Sequence, residues 1–326
     1  MWSVSIVHLD TGGGGEGGSD PPQDEAAFLE ALRLRAAESL ERAYRFLETR
    51  PDPWALLRAQ VLCEARPTKD LAQKLADRQR EDGSLPLHTL VSGGGLGFPP
   101  IDVEGLDPEA ASLVGTLEAL LMVGDARGLH AEWVEPAVRY LESRQAPDGA
   151  YRLSVGPVVA AEANDDEDVF FTGMIAGILG RTPVSRTSQL EAAGAFLAPR
   201  FSPDRVEHEG YPALLAFAHF FTNVPHDDAD EALQWCGRGL EKGFRSQQLD
   251  AVATLRVLLT CDAQAMPGAT FDAVELLERL MEEQAGDGGF AELSLGGPDT
   301  RTTQTFDAML AIVRLCSALG AEPPPA

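Results

Sequence analysis

The chain has 326 residues, of which 44% are hydrophobic, and a formal charge of −25. A field of this sign repels nucleic acid phosphates and anionic lipids, so the charge argues against a broad nucleic-acid or membrane-surface interface. No apolar run approaches the roughly 18 residues that a membrane-spanning helix needs, and residues 1–8 lack the basic leader of a signal peptide. We therefore expect a cytoplasmic, acidic protein with a sizeable core.

Two tails flank the expected domain. Residues 11–24 are rich in glycine, proline and acids, and residues 321–326 form a short proline-rich end. Such compositions bury too little apolar surface to fold. We expect residues 1–24 and 321–326 to be flexible and residues 25–320 to form one domain, because no linker divides them.

Apolar residues recur at helical spacing in segments of two kinds that alternate along the chain. Segments of the first kind have a charged face, which is typical of helices on the outside of a fold: residues 25–49, 69–80, 131–145, 188–199, 229–242 and 271–284. Segments of the second kind are apolar most of the way round and should be buried: residues 54–66, 109–124, 168–180, 211–223, 248–260 and 303–316. Six outer helices alternating with six inner ones predict an all-α (α/α)6 barrel, or toroid, with the N-termini of its inner helices at one mouth.

A short phrase recurs where three of the charged segments end. Residues 79–83, 145–149 and 284–288 each read Gln-x-x-Asp-Gly. The glycine supplies the left-handed backbone that ends a helix, the aspartate bonds back to nearby amides, and the glutamine can bridge backbone groups. Recurrence of such an exit indicates an array of one helical unit.

These exits, in an alternating helix array, resemble the repeats of the squalene/hopene cyclase and protein prenyltransferase superfamily. The resemblance covers residues 25–320 and implies the toroid. Class II terpene cyclases of that superfamily carry Asp-x-Asp-Asp at the start of an inner helix, where the middle acid protonates an alkene or epoxide. Asp165, Asp166, Glu167 and Asp168 lie at that kind of position, with one acid of the pattern altered. The resemblance implies a class II-type terpene cyclase, an isomerase or lyase, with Glu167 or Asp168 as the acid and the preceding aspartates supporting it.

Protonation of a linear isoprenoid needs a carboxylic acid that stays protonated near neutral pH, which crowded carboxylates provide because they cannot all ionise. It also needs a dry cavity whose ring faces stabilise cations. The candidate substrate-binding rings on the inner segments are Trp54, Phe170, Phe171, Tyr211, Phe217, Phe221 and Phe306. A plainer interpretation is also open, because acids favour helix N-termini and aromatic residues at helical spacing mostly form core.

The sequence requires no cofactor, although a diphosphate-bearing substrate would need Mg²⁺ or arginines to offset the acidic charge. Glu207, His208 and Glu209 precede another inner segment, and their oxygen and nitrogen atoms make them candidate ligands of a divalent metal. Residues 93–97 are glycine-rich and are expected to form a loop over the mouth that could act as a lid.

The sequence is also compatible with two other functions. One is a non-catalytic toroid that binds an apolar, isoprenoid-like ligand or a partner protein. The other is a carbohydrate-active (α/α)6 enzyme, in which two carboxylates across the mouth, such as Asp168 and Glu209, act as acid and base. The fold alone does not decide among these functions.

Overall fold

The computed structural model describes residues 23–90, 106–153, 165–208, 211–263, 265–291 and 300–319. Across these ranges the protein has thirteen α-helices and no strand. The prediction of an all-α chain is confirmed. Within the same ranges, no helix is long and apolar enough to cross a membrane.

The helices follow the two alternating kinds of segment. The charged-face helices are α1 (Gln23–Glu48), α3 (Thr68–Ala76), α5 (Val134–Ser143), α7 (Thr187–Leu197), α10 (Ala229–Arg245) and α12 (Ala273–Glu282). The apolar helices are α2 (Pro53–Leu62), α4 (Pro108–Asp125), α6 (Asp165–Gly180), α9 (Tyr211–Asn223), α11 (Ala251–Thr260) and α13 (Thr300–Ala318). One short helix that the sequence pattern did not predict, α8 (Pro203–His208), precedes α9.

Aspartate caps fix where three apolar helices begin. The Asp52 carboxylate accepts hydrogen bonds from the first amides of α2, at 2.9 and 3.0 Å. Asp107 does the same for α4, with two bonds of 2.8 Å, and Asp250 accepts one of 2.7 Å in α11. These bonds satisfy amides that have no partner inside the helix, which sets the N-terminus of each.

The backbones of α6 and α9 lie in close contact because α6 has glycines where they meet. A Cβ atom on Gly173 would lie 2.6 Å from the carbonyl oxygen of Ala216, and one on Gly177 would lie 2.6 Å from the His219 ring. Any larger residue at either position would force the two helices apart.

The last helix of the described chain packs on the first. Helix α13 contacts α1, α2, α11 and α12, and α1 also contacts α12. The two ends of the helical array are therefore joined, rather than lying at opposite ends of an open stack.

The recurrent exit loops connect three charged-face helices, α3, α5 and α12, to the next helix of that kind in space. Nε2 of Gln79 donates to the carbonyl oxygen of Gly83 in its own loop (3.0 Å) and to that of Trp133 at the start of α5 (2.9 Å). Nε2 of Gln145 likewise donates within its own loop (3.0 Å) and to the carbonyl of Gln189 in α7 (2.9 Å).

The third exit loop makes the same bridge back to the beginning of the chain. Nε2 of Gln284 donates to the carbonyl oxygens of Gly288 and of Ser39 in α1, both at 2.9 Å. The Ser39 hydroxyl donates in turn to Oε1 of Gln284, also at 2.9 Å. The loop after α12 therefore binds α1 in the same way as the loop after α3 binds α5.

The loop glycines are required by both conformation and space. Gly149 and Gly288 have φ angles of +90° and +88°, in the left-handed region that favours glycine. A Cβ atom at these positions would lie 2.0 Å from the carbonyl oxygen of Ala192 and 2.4 Å from that of Arg42, respectively. Each loop therefore lies directly against the backbone of the neighbouring charged-face helix.

Candidate functional site

The first two acids of α6 are exposed and paired with arginines. The side chains of Asp165 and Asp166 are 50% and 69% exposed. Asp165 accepts hydrogen bonds from Arg200 (2.8 Å) and Arg205 (2.7 Å), and Arg205 also bonds to Asp166. Burial acts to raise the pKa of Asp165, but the two arginines outweigh it and hold that pKa below its ordinary value.

The next two acids are less exposed. Asp168 is buried, and its carboxylate accepts a hydrogen bond of 2.8 Å from Nε of Arg152, whose other nitrogens bond to Asp148. Burial raises the pKa of Asp168, although Arg152 opposes the shift. Burial and the neighbouring Asp168 carboxylate raise the pKa of Glu167. The structure thus brings the four acids into one helical turn but gives them different partners.

The position of Asp168 recurs in the other two units that carry the exit phrase. After each exit loop a backbone amide donates a hydrogen bond to a threonine hydroxyl of the next apolar helix. The pairs are Leu85–Thr116 (3.0 Å), Tyr151–Thr172 (2.9 Å) and Phe290–Thr305 (3.1 Å). Four residues before these threonines lie Ser112, Asp168 and Arg301. Each of these three bonds to its exit loop: Ser112 to Arg80, Asp168 to Arg152, and Arg301 to Asp287. Asp168 therefore has a loop-anchoring role that does not depend on catalysis.

The seven candidate rings are all buried, at 7% exposed or less. Nε1 of Trp54 donates to the Thr89 carbonyl (3.0 Å), and the Tyr211 hydroxyl donates to the Ala253 carbonyl (2.9 Å). Phe170, Phe171, Phe217 and Phe221 pack among other core side chains. Phe306 differs from these rings, because it lines a cavity.

This cavity has a volume of about 670 Å³ and lies near the C-terminal ends of α2 and α4 and along the second half of α13. Its apolar lining includes Leu40, Leu71, Met122, Phe306, Leu310 and Val313. Its charged lining consists of Arg58, Glu64, Arg66, Asp125, Arg127 and Arg314. The acidic run lies at the opposite, N-terminal ends of the apolar helices. The segments before α4, α6 and α13 fall outside the described residues, so a pocket at that end stays a prediction.

A buried network of charges forms one wall of the cavity and continues into the core. Arg58 and Asp125 form an ion pair of 2.8 Å in which both side chains are 7% exposed. Arg256 lies 3.0 Å from Asp307 and 3.5 Å from Asp125. Burial raises the pKa of Glu118, also in this network, although the arginines oppose the shift. The network ties together α2, α4, α11 and α13.

Three apolar helices are followed by a charged residue with left-handed backbone. Glu64, Arg127 and Asp262 have φ angles of 57°, 57° and 52°, each one residue past the cap of its helix. This conformation costs a residue other than glycine roughly 1–2 kcal/mol. Glu64 and Arg127 line the cavity, and Asp262 accepts a bond of 3.0 Å from Arg314, which also lines it. Strained residues of this kind cluster at functional sites.

Only part of the predicted metal site, and none of the predicted lid, lies within the described residues. Glu207 is bonded to Lys242 (2.8 Å), whereas the side chain of His208, all of Glu209 and residues 93–97 lie outside the described residues. Where side chains are described, no group of three or more His, Cys, Asp or Glu is placed to hold a metal ion.

No protein-family model matches the chain. No curated protein matches it significantly either. Membership of the squalene/hopene cyclase and prenyltransferase superfamily, which the exit loops suggest, accordingly stays a prediction.

The charged residues of the cavity and its network were missed at the sequence level. Arg58, Asp125, Arg256 and Asp307 each lie in one of the apolar helices. A charge in such a helix is a usable signal, because buried charges must be paired with one another or bind a ligand.

Proposed function

We propose that this chain is an (α/α)6 toroid that binds a small ligand with an apolar body in the cavity at the C-terminal ends of α2 and α4. Three features support the toroid: the alternation of charged-face and apolar helices, the contact of α13 with α1, and the Gln284 bridge to Ser39. In a closed ring of this kind the apolar helices form the inner layer, and their ends are the places where a pocket can open.

The observation that carries the binding function is the cavity itself. Its volume of about 670 Å³ falls within the range of roughly 300–1,000 Å³ that is typical of small-molecule sites. Such sites combine an apolar wall with placed polar groups, and this cavity has both, although its six charged residues make it more polar than usual: Leu71, Met122 and Leu310 are part of its apolar lining. Strain at Glu64 and Arg127 supports the same conclusion.

Calorimetric titration with linear isoprenoid alcohols of graded length tests this proposal. We expect binding to the wild type and loss of binding in Val313→Trp, because the indole would fill the cavity. Val184→Trp is the matched control, since Val184 is also a partly buried core valine but does not line the cavity. Absence of binding to the wild type, or equal binding by both variants, would contradict the proposal.

Class II-type cyclisation of a linear isoprenoid is the second candidate, and one observation favours it. The pKa of Glu167 is raised by burial and by Asp168, so this carboxyl keeps its proton to a higher pH than an ordinary glutamate. We would assign the proton to Glu167 rather than to Asp168, because Asp168 accepts a bond from Arg152. The supporting acids would be Asp165 and Asp166.

Product analysis by gas chromatography with mass detection tests the cyclase candidate. Linear isoprenoids and their diphosphates are incubated with the wild type, Glu167→Gln and Asp168→Asn, with and without Mg²⁺. We expect a cyclic product that disappears in Glu167→Gln. Lack of any product from the wild type would remove this candidate and leave the binding function.

A further inference from the structure

The charged lining of the cavity is unusual for this chain. Four arginines and two acids line it: Arg58, Arg66, Arg127, Arg314, Glu64 and Asp125. The chain as a whole carries a formal charge of −25. The cavity is therefore a local site of positive charge in a strongly acidic protein, and such a site attracts anions.

Three of these arginines already have carboxylate partners, and Arg58 and Arg66 are two of them. Arg58 is neutralised by Asp125, at 2.8 Å and with both side chains buried. Arg66 lies 3.9 Å from Asp70 across an exposed pair. A ligand would compete poorly for Arg58, because breaking a buried pair leaves an uncompensated charge.

Arg127 is different. It is exposed and lines the cavity, and its guanidinium forms no hydrogen bond or ion pair with any residue that the structure describes. The left-handed backbone of Arg127 places a long, charged side chain where glycine would be favoured. Stability therefore does not account for an arginine at this position.

Arg314 lies on the same cavity and is close enough to Arg127 for the two charges to repel each other. Burial lowers the pKa of Arg314, the Asp262 carboxylate offsets part of that effect, and Arg127 adds to the lowering. Arg314 donates to the Asp262 carboxylate at 3.0 Å and, more weakly, to the Asp125 backbone carbonyl at 3.5 Å, and its planar guanidinium has further N–H groups to donate. An anion bound between Arg127 and Arg314 would relieve their repulsion.

We propose that the ligand is an amphiphile whose anionic head, a carboxylate or a phosphate, binds Arg127 and Arg314 while its apolar body lies against Met122, Phe306 and Leu310. This inference rests on the proposed binding function and names the chemistry of its ligand. Guanidinium groups match both heads, because they donate two parallel hydrogen bonds to a carboxylate or a phosphate. Glu64 lines the same cavity, and its negative charge repels an anion. Removing that charge should therefore strengthen anion binding, whereas removing the charge of Arg127 should weaken it.

Calorimetric titration with three probes of equal alkyl chain tests this inference, each below its micelle concentration: a fatty carboxylate, an alkyl monophosphate and the neutral alkanol. We expect the better anion to bind the wild type at least about tenfold more tightly than the alkanol, as a charge-assisted bond requires. Arg127→Gln should lose about that factor for the anion and leave the alkanol unchanged. Glu64→Gln should tighten anion binding, and added salt should weaken it. Arg78→Gln, an exposed arginine outside the cavity, is the matched charge control.

The outcomes separate the two claims. If no probe binds the wild type, the proposed function fails and the inference fails with it. If alkanol and anions bind equally and Arg127→Gln changes neither, the proposed function stands and the anionic head is refuted. Preference for the carboxylate or for the phosphate identifies which head the site takes.

Discussion

Replacing Gln284 with alanine should destabilise the protein more than replacing any exposed glutamine, because Gln284 joins the loop after α12 to α1. The substitution removes three hydrogen bonds of 2.9 Å, two to Ser39 and one to the carbonyl of Gly288. Each such bond contributes a net ~0.5–1.5 kcal/mol. Ser39 is fully buried, so water cannot replace the lost partner, and we expect a loss of about 3 kcal/mol in the free energy of unfolding.

Urea denaturation followed by circular dichroism measures this loss. Gln73→Ala is the matched control: Gln73 is exposed on α3 and bonds only to Asp77, at 2.8 Å, so its loss should stay below about 0.5 kcal/mol. Gln145→Ala removes two bonds rather than three and should fall between them, at about 2 kcal/mol.

A double-mutant cycle tests whether the bridge to α1 is the cause. Ser39→Ala and Gln284→Ala share one hydrogen bond, so their effects should be non-additive by about 1 kcal/mol. Strict additivity, or a loss in Gln284→Ala no larger than that in Gln73→Ala, would refute the reasoning that this loop holds the two ends of the array together.

Three further predictions concern single positions. Gly288→Ala should cost at least about 2 kcal/mol on urea denaturation, because its Cβ would meet the Arg42 carbonyl at 2.4 Å, whereas Gly286→Ala in the same loop meets nothing within 4 Å and should cost less than about 1. Glu118→Gln should stabilise the protein at neutral pH. Burial raises the pKa of Glu118 above 4.5, so the wild type loses stability as pH rises from that value, and the difference between the two proteins should vanish in unfolding measured below it. Arg127→Gly should raise the melting temperature by relieving a φ of 57° while weakening anion binding about tenfold; a lower melting temperature would contradict the strain argument.

The helical pattern could be predicted from the sequence to within a few residues. Residues 211–223 form α9 as predicted, because an apolar run of this length is too long for a typical strand and indicates a buried helix. Residues 54–66 end earlier, at Leu62, because Glu64 adopts left-handed backbone that no propensity of glutamate predicts. The exit phrases begin two or three residues after the ends of α3, α5 and α12, so they indicate these ends approximately, and α2 has no such phrase.

The candidate site could be predicted only where its chemistry is local. The acidic run of α6 can be recognised in the sequence as four adjacent acidic residues. Its partners Arg200 and Arg205, however, follow 35 and 40 residues after Asp165, and these arginines lower the pKa of Asp165. The cavity depends on a pair, Arg58 and Asp125, that is 67 residues apart. Pairing at such distances is set by tertiary packing, and one sequence does not contain it.

The bridge between Gln284 and Ser39 has a consequence for how the protein is made. The two residues are separated by 245 positions, which a ribosome takes roughly 12–50 seconds to add at ~5–20 residues per second. During that time the side chains of α1 that end up buried, such as Leu32 and Phe46, have no α12 or α13 to pack against. Among the described helices, the first to be made is thus one of the last to be fully covered, so part of its apolar face stays exposed until α12 and α13 have been made.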